Sequence, residues 1–127
     1  MVDSSKLITA EIQKQFIEED EYVMVCERVS KLRLSGTQSD KEERLYVMTF
    51  DRIYMFKSQK RSRLYSIKDV GAILQSSQNN SDFMLFFERS DDLHVSTKNR
   101  KEVLDLLKLR FNCLNRNITL RVYSVTD

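Results

Sequence analysis

The feature that most restricts what this chain can become is a change of hydrophobic period. Between residues 22 and 96 apolar residues fall in short runs or strict alternation, with polar turn clusters roughly every eight to twelve residues. Between residues 103 and 114 the spacing switches to Val103, Leu104, Leu106, Leu107, Phe111 and Leu114, one wide stripe on a helix. Many short strands followed by a single helix predict a sandwich or barrel with a helix packed on it. With 127 residues, 41% of them hydrophobic, the chain has the size of one domain and enough apolar surface for one core.

Strands are expected over residues 22–34, 44–50, 53–56, 63–67, 70–75, 83–87 and 93–96. The turns between them are polar: Ser35-Gly36-Thr37-Gln38-Ser39-Asp40, Asp51-Arg52, the basic loop 58–62, Lys68-Asp69, a cluster around Asn79-Asn80, and Ser90-Asp91-Asp92. Strand aromatics such as Tyr46, Tyr54 and Phe56 are expected in the core. The helix should run from 99 to 114 with Thr97 or Asn99 as its cap. A last alternating segment, 118–123, predicts a final strand.

Ahead of all this, Leu7, Ile8, Ile12, Phe16 and Ile17 share one helical stripe. Residues 1–21 are therefore expected to be an N-terminal amphipathic helix and residues 22–127 the domain proper. The stripe packs either on its own domain or, as a partner-helix surface, in a groove of a larger assembly. Its polar face is mostly acidic, which argues against a membrane-surface helix.

Charge is unevenly spread. Residues 1–22 hold two lysines against six acids, whereas residues 28–63 hold ten basic side chains against four acids. An acidic entry and a basic first half point to an anionic partner for one face.

Catalytic and metal chemistry find little support. The two cysteines, Cys26 and Cys113, are far apart and have no metal-ligand spacing with His94, the sole histidine. Both are expected to be small buried side chains. No nucleophile motif accompanies His94, and two distant glycines cannot build a phosphate-cradling loop. The expectation is a non-enzyme with no metal and no cofactor. No apolar run approaches the roughly 20 residues of a membrane span. The first residues lack the order of a secretory leader, so the expected compartment is intracellular.

Specific segments carry a resemblance. Lys31-Leu32-Arg33 is followed by Glu43-Arg44-Leu45-Tyr46-Val47-Met48-Thr49 and Asp51-Arg52-Ile53-Tyr54-Met55-Phe56. Then come Tyr65-Ser66-Ile67-Lys68-Asp69-Val70-Gly71-Ala72-Ile73 and Asp82-Phe83-Met84-Leu85-Phe86-Phe87, with Leu120-Arg121-Val122-Tyr123 after the helix. This succession resembles a pleckstrin-homology-like domain, and within that class the tail-homology domain of class I myosins. The resemblance covers about residues 22–124. It implies a mainly β antiparallel barrel of about seven strands, a capping C-terminal helix and a final strand.

It also implies basic side chains from the first two strands and nearby loops holding inositol-lipid head groups, with Lys31 and Arg44 at the matching positions. This chain departs from that lipid signature. Tyr46 stands where a second basic residue would follow Arg44, and Asp40, Glu42 and Glu43 lie in or beside the intervening loop. No tryptophan lies in the late helix.

The expected anionic-ligand surface comprises Lys31, Arg33, Arg44, Lys57, Lys60, Arg61 and Arg63. The leading functional reading is an adaptor that anchors a cytoskeletal or membrane-proximal complex through protein contacts, with weak anionic-phospholipid binding as an accessory. The alternatives are a phosphoinositide-binding recruitment domain and a small structural component of a large assembly such as a ciliary axoneme. The missing aromatic and glycine signatures argue against nucleic acid. The expected location is cytoplasmic, cytoskeletal, ciliary or at the membrane periphery.

Overall fold

A computed structural model describes residues 22–32 and 41–126. The predicted N-terminal helix, with Leu7, Ile8, Ile12, Phe16 and Ile17, lies outside the described residues, as does Arg33. The described chain forms β1 (Val25–Leu32), β2 (Lys41–Met48), β3 (Arg52–Lys57), β4 (Lys60–Ser66), a 3-10 turn (Ile67–Asp69), β5 (Val70–Ser76), β6 (Asp82–Phe87), β7 (Leu93–Ser96), α1 (Arg100–Leu114) and β8 (Arg121–Val125).

All eight strands belong to one sheet in the order β4-β3-β2-β1-β7-β6-β5-β8. Every pairing is antiparallel except the last, where β8 runs parallel to β5, Ala72 opposite Arg121 and Ser76 opposite Val125. The sheet curls. Tyr65 of β4 stacks on Phe87 of β6 with ring centroids 4.3 Å apart, although five positions separate these strands in the sheet order. Only a strongly twisted, rolled sheet brings them together.

Alternation decides what the roll encloses. Val25, Val29, Tyr46, Met48, Ile53, Met55, Tyr65, Ile73, Phe83, Leu85, Leu93 and Val95 point inward to one buried cluster. The helix supplies Val103, Leu104, Leu107 and Phe111 to that cluster, so it plugs the roll along the predicted stripe. Leu106 and Leu114 are only partly buried against it.

The ends of α1 are tied down by side chains that do not act as expected. Asn99 is the N-cap residue, yet its side chain makes no capping bond. Its Nδ2 donates instead to Oε1 of Glu27 at 3.0 Å, and Thr97 Oγ1 accepts from the Asn99 amide at 3.3 Å. Glu27, buried on the inner face of β1, thus ties the first strand to the start of the helix. Arg100 Nη1 lies 2.9 to 3.1 Å from the carbonyl oxygens of Ser76, Asn79 and Asp82, locking the β5–β6 loop to the helix start. Near the other end, Arg110 Nε donates to the Phe50 carbonyl at 2.7 Å and its guanidinium lies over the Phe50 ring. Tyr22 stacks on the same ring.

Several sequence expectations need correction. The basic loop 58–62 is a two-residue turn, Ser58-Gln59, with both φ values positive (49° and 67°), and Lys60 and Arg61 already belong to β4. That backbone suits the right-handed twist of a tight hairpin but usually calls for Asn or Gly, which are absent here. The final strand begins at Arg121 because the Ile118 amide turns back to the Asn115 carbonyl at 3.2 Å. Cys26 is buried as expected, whereas Cys113 sits on the exposed side of α1.

Two outcomes follow. Leu107→Ala should destabilise the domain by about 3 kcal/mol, the cost of a cavity under the helix; a lower urea midpoint at unchanged slope would register it. Arg100→Ala should cost about 1–2 kcal/mol through loss of its bonds to the part-buried Ser76 and Asp82 carbonyls, with hydrogen-exchange protection falling first at the Ser81 and Asp82 amides.

Candidate functional site

The antiparallel meander places its turns at two ends. The hairpin of β3 and β4, the start of β2 and the β6–β7 turn gather at one end of the roll, its mouth. Register sorts the basic side chains there. Val29 opposes Arg44 and Lys31 opposes Glu42, all on the inward side shared with Val25 and Met48. Arg44 and Lys57 each lie one residue beyond the Leu45–Phe56 pair on adjacent strands, Lys57 opposes Lys60, and Arg63 opposes inward-facing Met55. A bulge between Met55 and Phe56 throws Arg61 to the other side, opposite Phe56.

The exposed members are Lys57, Lys60, Arg61 and Arg63. Lys31 is half-buried, across from Glu42. Arg44 is different. Its guanidinium is nearly buried, with Nη2 donating to the Glu42 carboxylate and Nη1 to the Glu43 carbonyl at 3.0 Å. A strand carboxylate two residues away therefore compensates a charge that the family pattern would present to a phosphate. The sequence contained this signal, since positions 42 and 44 lie on one face of a strand.

A groove of about 380 Å³ runs between the hairpin and the β6–β7 turn, lined by Ser62, Arg63, Leu64, Tyr65, Arg89, Ser90 and Asp91. It adds Arg89, which sequence reasoning did not single out because only the topology brings that turn beside β4. It also adds acid. Burial pushes the Tyr65 phenol above its ordinary pKa; Arg63 opposes that rise, while Asp91 and Asp92 reinforce it. One cation, Arg63, and two carboxylates, Asp91 and Asp92, thus act on the same hydroxyl.

His94 lies on β7 opposite Met84. Among the described residues no group of three or more His, Cys, Asp or Glu side chains could hold a metal ion. No helix among them is long and apolar enough to cross a membrane. The glycine of the Ile67-Lys68-Asp69-Val70-Gly71 segment sits at the β5 bulge. A Cβ there would meet Glu88 Cγ at 3.7 Å, an ordinary contact, so packing does not require glycine.

No protein-family profile and no curated protein sequence matches this chain. Solved structures do. The N-terminal pleckstrin-homology domain of human ARAP2 superposes with a TM-score of 0.61 at 10% identity, over 75% of this chain and 84% of that one. The hSac2 domain of the human phosphoinositide phosphatase Sac2 gives 0.62 at 9% identity, over 89% and 83%. The DH/PH fragment of PDZ-RhoGEF in complex with human RhoA gives 0.60 at 7% identity; the match covers 73% of this chain but only 29% of that one. At such identities the likeness speaks for fold alone. The rolled sheet, its plugging helix and these superpositions together make this a pleckstrin-homology-like fold.

Proposed function

We propose that the chain is a non-catalytic adaptor module. It holds an acidic protein partner in a cytoskeletal or membrane-proximal complex, with weak, salt-sensitive attraction to anionic lipid as an accessory property. The observation that carries this reading is the engagement of Arg44 by Glu42 at the mouth. A selective head-group pocket needs several uncompensated cations converging on compact phosphates. Here one matching cation is nearly buried and compensated, and another, Lys31, faces Glu42 across the ladder.

What the mouth offers outward is a spread set, Lys57, Lys60, Arg63 and Arg89, interrupted by Asp91 and Asp92. An extended acidic polypeptide can lay separate carboxylates against separate cations and pass the aspartates. A compact phosphate cluster in the same groove meets Asp91 directly. The resemblance to class I myosin tails fits a place at the cytoskeleton or the inner membrane surface. Constitutive assembly into a structure such as an axoneme would be one form of the same adaptor role.

Vesicle co-sedimentation and an acidic peptide probe separate this from phosphoinositide recruitment. The adaptor should bind phosphatidylserine and phosphoinositide vesicles alike, weakly, and lose both as salt rises to physiological strength. Lys57→Glu combined with Lys60→Glu should weaken binding to a polyglutamate peptide by about tenfold or more, while Arg44→Gln changes it little. Salt-resistant, head-group-selective binding that disappears in Lys31→Glu or Arg44→Glu would make the chain a phosphoinositide domain instead.

A further inference from the structure

A second basic surface, sharing no residue with the mouth, lies where α1 begins. The end of β5, the loop after it and the first half of the helix wall a groove of about 570 Å³. Four cations line it, Lys98, Arg100, Lys101 and Lys108, against one carboxylate, Asp105. The amide side chains of Gln75 and Asn80 complete the wall, and buried Leu104 gives it an apolar floor. That volume is in the range of small-ligand sites.

The charges of α1 run against what a helix favours. Carboxylates are stabilised in a first turn and cations in a last one. Here Arg100 and Lys101 open the helix and Lys98 stands just ahead of it, while the last turn holds no basic residue. Lys101 also precedes Asp105 by four residues, the poorer order for such a pair. Folding stability alone gives no reason to put Lys98 and Lys101 there.

Two of the four cations are engaged locally. Arg100 Nη1 bonds the carbonyls of Ser76, Asn79 and Asp82, which fixes the loop carrying Asn80 as one wall of the groove. Lys101 Nζ donates to Asp105 at 2.8 Å, and the charge of Lys108 acts on the same carboxylate. Lys98 makes no hydrogen bond or ion pair with a described residue. The one carboxylate is thus shared by two lysines, and the groove keeps an excess of positive charge.

We infer that this groove is a binding site for a compact soluble polyphosphate, its phosphates meeting Lys98, Lys101 and Lys108. Lys101 and Lys108 are seven residues apart on one helix, about 10 Å along its axis. A short chain of phosphates covers that span, and a single phosphate does not. The exposed lining residues, Asn80, Lys98, Lys101 and Asp105, are all polar, so the rim offers nothing that would enter a bilayer. The site does not rest on the adaptor reading, which concerns the mouth, and would stand if that reading fell.

Sodium tripolyphosphate titrated into the full chain at physiological salt, with amide chemical shifts recorded, tests the assignment. Saturable shifts should centre on Asn80, Lys98, Lys101 and Lys108. Lys98→Gln combined with Lys108→Gln should weaken binding by about tenfold or more. Asp105→Asn should strengthen it, and Lys57→Glu with Lys60→Glu should leave it unchanged. Urea unfolding without ligand separates lost binding from lost folding: Lys98→Gln should unfold at an equal or higher urea concentration, because it removes a cation from the positive end of the helix. Shifts that do not saturate, shifts centred on Lys57, Lys60 and Arg63, undiminished binding by the groove variants, or tighter binding to phosphatidic-acid vesicles than to tripolyphosphate would each overturn the assignment.

Discussion

One contact organises the molecule: the stripe of α1, Val103, Leu104, Leu107 and Phe111, seated inside a sheet that has rolled around it. A twisted sheet of eight strands does not bury its inner face unless something fills the roll. The helix fills it. Its position is then held by polar bonds, Asn99 to buried Glu27, Arg100 to three carbonyls of the β5–β6 loop, and Arg110 to Phe50. These bonds matter because a greasy stripe alone could slide. Directional hydrogen bonds at both ends give it one register.

The helix does not reach the hairpin tip at the mouth of the roll, where the side chains are exposed and charged. The price in specificity is visible at Arg44, whose guanidinium turns to Glu42 because a nearly buried cation needs a counter-charge where it stands. The hairpin tip has no such need. Lys57 and Lys60 oppose each other across a two-residue turn, a repulsion that water screens. The mouth is therefore a field of dispersed charge more than a socket.

Much of the fold was legible beforehand. Short apolar runs and alternation marked the seven antiparallel strands, and the shift to a 3.6 period marked the helix nearly to the residue, because these patterns record burial directly. Boundaries moved where local chemistry carried no burial signal. Lys60 and Arg61 looked like loop because their side chains are basic and solvated, yet the backbone there continues the ladder. Cys113 looked buried from its type but falls on the outer side of α1, off the stripe. The candidate cations were legible as types and only partly as a site: register brings Lys57, Lys60 and Arg63 to one side and sends Arg61 to the other.

Among the described residues the sequence by itself determined the strands and the late helix and which positions of each are apolar, since these depend on periods of two and 3.6 along the chain. Tertiary structure alone decided the rest: that β8 lies parallel beside β5, that Arg89 joins the β3–β4 hairpin, and that Tyr54 and Phe56 leave the inner core for a second cluster on the opposite face. The reason is that a strand's pattern says that a side is covered without saying by what. Which surfaces meet depends on how the whole sheet curls, a quantity that belongs to no single segment.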